Sequence, residues 1–113
     1  MHEYSIVEAL ISRVSQEVEA HGARGVMRVY VKIGALSGVE PELLASAYEV
    51  FREKTVCADA ELNIERVEER WACSSCRQAL AREAGLICPR CSTPARLVSG
   101  DEIVLERIEM EVA

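Results

Sequence analysis

The chain is poor in aromatic residues, with one Phe, one Trp and three Tyr among 113 positions. Half of its residues are nonetheless hydrophobic, so its core has to be built from aliphatic side chains. It lacks any apolar run of the ~20 residues needed to span a bilayer. It also lacks a basic N-terminal stretch that leads into an apolar segment and a small-residue cleavage site. These absences give the expectation of a cytoplasmic protein with no membrane partner. Positive charge is scarce: 13 Lys and Arg against 19 Asp and Glu leave a net charge of −6. A field of that sign repels phosphate backbones, so nucleic acid is not an expected partner. Catalytic constellations are missing as well. There is no Ser/His/Asp set, no phosphate-cradling glycine loop and no carboxylate pair in a forced environment, which makes an enzyme the least expected class.

What is present begins with apolar periodicity. Ile6, Val7, Leu10, Ile11, Val14 and Val18 share one face at helical spacing, which predicts an amphipathic helix over 4–21 that Gly22 stops. Met27, Val29, Val31 and Ile33 then alternate with Arg28, Tyr30 and Lys32, the period of a strand with one buried face. Residues 34–40 read as a loop. Pro41 suits a first helical turn, and Leu43, Leu44, Ala47, Val50 and Phe51 mark a second amphipathic helix ending near Lys54. Leu62 and Ile64 open another strand whose alternation shifts at Val67, by a bulge or by the strand ending. The last strand, 102–112, also switches parity, from Ile103 and Leu105 to Ile108, Met110 and Val112. A bulge and burial on both sides are equally open readings. The simplest packing is an α+β domain with two helices on one face of a three-stranded sheet.

Residues 71–97 are of another character. They hold four of the five cysteines and two of the three prolines, and they show little apolar periodicity. Such a segment cannot build its own core and needs a metal to hold it. The expected organisation is therefore one α/β domain formed by 1–70 and 98–113, with a small zinc-ribbon-like domain inserted at 71–97. Cys73–Cys76 and Cys88–Cys91 are two C-x2-C pairs separated by eleven residues. Two intervening residues let the backbone turn in a tight knuckle that aims both sulfurs at one ion. Two knuckles supply four soft thiolates in a tetrahedron, which suits zinc and leaves no open position, so the site is structural. Disulfides would need an oxidising compartment, and a redox C-x2-C would normally occur once, at a helix N-terminus. Iron on four thiolates is the stronger rival, although a rubredoxin-type centre would not require the surrounding helices. Cys57 stands alone after the second helix and is assigned no role.

The amino terminus is the other chemical feature. The free α-amine of Met1, the His2 amide nitrogen and the His2 imidazole can close small chelate rings around one ion. This nitrogen-rich, near-planar set suits Ni(II) or Cu(II). The Glu3 amide or carboxylate offers a further ligand. Met1 is expected to stay in place, since initiator methionine is trimmed before small residues. A solvated terminus with no metal role is the competing reading. His21 lies at the end of the first helix, where its imidazole complements the helix dipole.

Together these stretches resemble the HypA/HybF family of hydrogenase nickel-incorporation proteins. The likeness rests on Met-His-Glu-Tyr-Ser at 1–5, Val-Lys-Ile-Gly-Ala-Leu-Ser-Gly-Val-Glu-Pro-Glu-Leu-Leu at 31–44, Ala-Tyr-Glu-Val-Phe at 47–51 and the doubled cysteine pair. The resemblance implies a nickel metallochaperone for the large subunit of nickel-iron hydrogenase, working with a HypB-type GTPase and in some organisms serving urease. Nickel would bind through the Met1 amine, His2 and Glu3, and structural zinc through Cys73, Cys76, Cys88 and Cys91. Glu40 falls where some relatives place an acidic residue near the nickel. Ala35 departs from a charged or polar residue common in the family, which puts a partner contact there in doubt. A monomer or weak homodimer is expected. The rival function is a zinc-ribbon module that binds protein or nucleic acid. Charge counts against it: the insert has Arg70, Arg77, Arg82, Arg90 and Arg96, but the chain is acidic and offers no aromatic platform beyond Trp71.

Overall fold

The computed structural model of the chain describes residues 2–112, the side chain of His2 excepted. Its elements run α1 (His2–His21), β1 (Ala23–Gly34), α2 (Pro41–Phe51), β2 (Glu61–Val67), β3 (Arg70–Cys73), β4 (Ala79–Leu80), a 3-10 turn (Arg82–Ala84), β5 (Ala95–Ser99) and β6 (Ile103–Val112). One three-stranded sheet has the order β2-β1-β6 and a second has the order β4-β3-β5. The β1–β2 pairing is parallel, which requires the crossover that α2 supplies, and the β1–β6 pairing is antiparallel. The α+β architecture is thus the one read from periodicity. The cysteine-bearing segment differs in having a small sheet of its own.

The core lies between the first sheet and the two helices. Val7, Leu10 and Val14 of α1 meet Val26, Val29, Val31 and Ile33 of β1 and Leu44, Ala47 and Tyr48 of α2. The opposite face of that sheet is polar. Arg28 donates to Glu109 at 2.8 Å, Lys32 lies 2.8 Å from Glu106, and the Arg107 guanidinium stacks 3.9 Å above the Tyr30 ring. Gly22 takes a φ of 60°, which lets the chain leave α1 and turn directly into β1.

One open reading is decided and two expectations change. The parity switch in β6 is a bulge: Tyr30 pairs with Arg107 and Val31 with Leu105, leaving Glu106 as the extra residue. A matching irregularity on β1 leaves Met27 unpaired between Val26 and Arg28, so Val26 is buried in place of Met27, which is 48% exposed. On α2, Leu43 and Val50 are exposed and Tyr48 is in the core, its hydroxyl donating to the Ala60 carbonyl at 2.8 Å.

The second sheet spans Arg70–Ser99 and lies in the chain between β2 and β6. Its buried residues are few: Ala72, Cys73 and Cys88. The radius of gyration is 18.0 Å, above the roughly 13 Å of a compact chain of this length. The two sheets therefore do not share one round core. At the end of the first sheet from which the chain passes to the second, Gly34 donates to the Glu102 carbonyl at 2.8 Å, Ala35 to Val67 at 2.8 Å and Leu36 to Gly100, the residue after β5, at 2.7 Å. A Cβ on Gly34 would lie 2.2 Å from the Gly100 oxygen, so this close approach requires glycine.

Candidate metal sites

Cys73, Cys76, Cys88 and Cys91 converge, and their sulfurs all lie within 4.8 Å of one another. The Cys76 and Cys88 sulfurs are 3.8 Å apart. Four sulfurs on a tetrahedron with metal–sulfur bonds of about 2.3 Å would be separated by about 3.8 Å. The donor set thus fits a thiophilic ion held by four thiolates. All four cysteines of the two C-x2-C pairs take part.

The two knuckles are built alike. Cys73 N–H donates to the Gln78 carbonyl at 2.8 Å and Cys88 N–H to the Thr93 carbonyl at 3.0 Å, each five residues on. Arg77 and Ser92 N–H close back onto the carbonyls of Cys73 and Cys88 at 3.0 and 2.8 Å. Arg77 and Ser92 both take positive φ, 65° and 57°, to make that turn. β3 delivers the first knuckle, and the strand pairing of Cys73 with Ala95 draws the two halves together.

The electrostatics are uneven. The Ser75 and Cys76 N–H groups donate to the Cys73 sulfur at 3.3 and 3.4 Å, and the Thr93 hydroxyl lies 3.1 Å from it. With Thr93 the largest cause and the Cys76 N–H next, these bonds lower the Cys73 thiol to about 6. Cys91 is pushed up to about 12, first by its hydrogen bond with Cys76 and then by loss of solvent. Four crowded thiols cannot all ionise alone, so a cation that binds here displaces protons. Thr93 was not legible as part of the site. Its only sequence signal is its place five residues after Cys88, matching Gln78 after Cys73.

The second predicted site is described in part. Met1 and the His2 side chain lie outside the described residues. α1 already begins at His2, two residues earlier than periodicity indicated. Glu3 is 8% exposed. Hydrogen bonding at the chain's amino terminus holds its carboxyl below the ordinary carboxylate range, with backbone N–H groups of Glu3 and Glu40 adding to this. Glu40 is exposed and occupies the N-cap of α2 without a side-chain cap bond. His21 Nδ1 donates to the Glu17 carbonyl at 2.9 Å, the helix-end role expected of it. Cys57 is fully buried in the aliphatic core, and burial raises its thiol.

The family model described as hydrogenase/urease nickel incorporation, metallochaperone, HypA matches residues 1–110. The chain is 42% identical over 113 residues to the hydrogenase maturation factor HypA of Shewanella sp. strain MR-7, covering 98% of this chain and 96% of the relative. It is 38% identical to that of Aquifex aeolicus, covering 99% of each. The solution structure of the nickel metallochaperone HypA from Helicobacter pylori superposes with a TM-score of 0.76 at 31% identity, over 98% of both chains. A second HypA solution structure gives 0.83 at 32% identity, covering 100% of this chain and 98% of that one. With its tetrathiolate site and its match over nearly the full length, the chain belongs to the HypA family of nickel-incorporation metallochaperones, proteins of hydrogenase maturation rather than enzymes.

Proposed function

We propose that this chain binds Ni(II) at its amino terminus, through the Met1 amine and His2, and passes it on during maturation of nickel-iron hydrogenase in the cytoplasm. The observation that carries the reading is the start of α1 at His2. The first N–H groups of a helix have no intrahelical acceptor. The amide nitrogen of His2, at the first position of α1, is therefore not needed by the helix and can lose its proton to nickel. The Glu3 carboxylate is already engaged by the amino terminus and by backbone N–H groups, so Glu3 is the lesser ligand. Few protein ligands on a chain end make a site that selects a d8 ion by geometry and still lets it go.

The tetrathiolate site takes the opposite role. Zn(II) on Cys73, Cys76, Cys88 and Cys91 holds the second sheet and stays with the protein. The HypB-type GTPase and the hydrogenase large subunit are the partners this role calls for. A His2→Ala variant tests the assignment. It is expected to lose nickel binding by calorimetry while keeping its zinc content and its circular dichroism. Unchanged nickel affinity in that variant would remove the amino terminus from the mechanism.

A further inference from the structure

β1 lies between β2 and β6, so β6 pairs on one side and presents a free edge along Ile103–Val112. In an antiparallel pair, alternate residues turn their N–H and C=O groups away from the partner strand. No such group of β6 finds a backbone partner outside the sheet among the described residues. Proteins protect edges of this kind by covering, kinking or charging them. β6 is kinked once, at Glu106. Past the kink, residues 107–112 each have a partner on β1, with no further extra residue on the β6 side.

The helix-facing side of this edge is incompletely covered. Val31, Val29 and Val26 of β1 are buried, while their cross-strand partners Leu105, Ile108 and Met110 of β6 are only partly so. The apolar layer is thus finished at β1 and left open at β6. A groove of about 280 Å³ runs along the opening, between those three residues and Arg13, Glu17 and His21 of α1. These last are spaced four apart and form one row on the helix. An edge strand makes one wall and a helix the other. The strand is also acidic, with Glu106, Glu109 and Glu111 against Arg107, a formal −2. Glu106 meets Lys32 and Glu109 meets Arg28, both at 2.8 Å. Glu111 is exposed and has no ion pair among the described residues.

We propose that the free edge of β6 takes a further strand from a partner protein, an extended segment in which aliphatic residues alternate with Lys or Arg. Its backbone pairs with residues 107–112. Its aliphatic side chains enter the groove beside α1, and its basic side chains lie on the outer face, next to Glu109 and Glu111. The added strand finishes at β6 the burial already complete at β1. A helix fits less well, because it has no backbone groups to offer the edge. A second copy of β6 fits less well too, since an acidic strand would face an acidic strand. The contact uses neither the amino terminus nor the tetrathiolate, so it is independent of the nickel assignment.

The probe is a short acetylated and amidated peptide of alternating Val and Lys, titrated into the zinc-loaded full chain and followed by backbone amide spectra and hydrogen exchange. Signals of residues 107–112 and of Arg13, Glu17 and His21 are expected to shift. Alternate amides of that stretch should exchange at least about tenfold more slowly, as newly paired groups do. A Val/Glu peptide should bind about tenfold more weakly, because like charges then meet. A Val/Lys peptide with proline at its centre should not bind, since proline lacks the donor a ladder needs. Glu17→Trp, which fills the groove, should weaken the native peptide by about tenfold; if it disturbs α1, the peptide series decides alone. Absence of any shift would overturn the proposal. So would equal binding by the proline peptide, or shifts confined to β2 or to the second sheet. Protection of the β6 edge in the free chain that grows with protein concentration would also overturn it, by putting a second copy there.

Discussion

Thr93 lies twenty residues from Cys73 in sequence, yet its hydroxyl is the largest influence on that thiol. The four cysteines were legible because covalent spacing alone brings each pair to one ion, and doubling the pair completes a tetrahedron. Thr93 was not, because its role depends on β5 folding back on β3. A Thr93→Val variant should weaken zinc binding on the order of tenfold, as loss of an outer hydrogen bond to a ligand does, measured by competition with a chromophoric chelator. The pH dependence follows from the same residue. The Cys73 thiol is lowered from 9.0 to about 6 in the fold. Its ionised form therefore adds stability that is complete above the unfolded value and is lost as pH falls through about 6. Cys91, raised to about 12, works the other way and must surrender a proton to the metal. Zinc uptake by the metal-free chain at neutral pH should thus release protons, read as a calorimetric enthalpy that varies with the buffer's ionisation heat. In Thr93→Val the acid limb of zinc retention should move to higher pH.

Among the elements, α1 shows how far periodicity reaches. Val7, Leu10 and Val14 are buried as their spacing indicates. On α2, a similar reading placed Leu43 and Val50 inside, and both are exposed. Hydrophobicity marked them, but only the position of the neighbouring helix and sheet decides which flank of α2 meets solvent. In β1 and β6, single extra residues at Met27 and Glu106 reset the alternation; sequence left a bulge and double burial open for β6 and read β1 as unbroken alternation. The junction between the sheets was silent in sequence, since glycine in a loop has many explanations. Here Gly100 has a φ of 110°, and a Cβ there would lie 2.5 Å from the Glu69 Cα. A Gly100→Ala substitution should destabilise the chain by roughly 1–3 kcal/mol, the usual cost of a strained backbone position, measured by thermal unfolding of the zinc-loaded protein. An unchanged melting temperature would mean the junction relaxes freely.

Across the whole molecule, the two sheets rest on different physics. The first has an aliphatic core shared by β1, α1 and α2. The second buries only Ala72 and two of its cysteines to any depth, and its four converging sulfurs are placed to hold an ion that would supply what this small core does not. Chelation of zinc should therefore unfold the β3–β5 region while α1, α2 and β1 persist. Backbone amide spectra before and after chelation would show whether the loss is confined to residues 70–99. α1 belongs to the first body and the tetrathiolate to the second, so under the proposed function the cargo ion and the resident ion would be bound by separate means. The central claim is that nickel is taken by the free terminus. The most direct measurement is a calorimetric Ni(II) titration of the zinc-loaded chain, native and extended by Gly-Ser ahead of Met1. The extension removes the α-amine from the chelate and leaves both sheets intact. Binding by the native chain and much weaker binding by the extended one is the predicted result, and equal binding by both would contradict it.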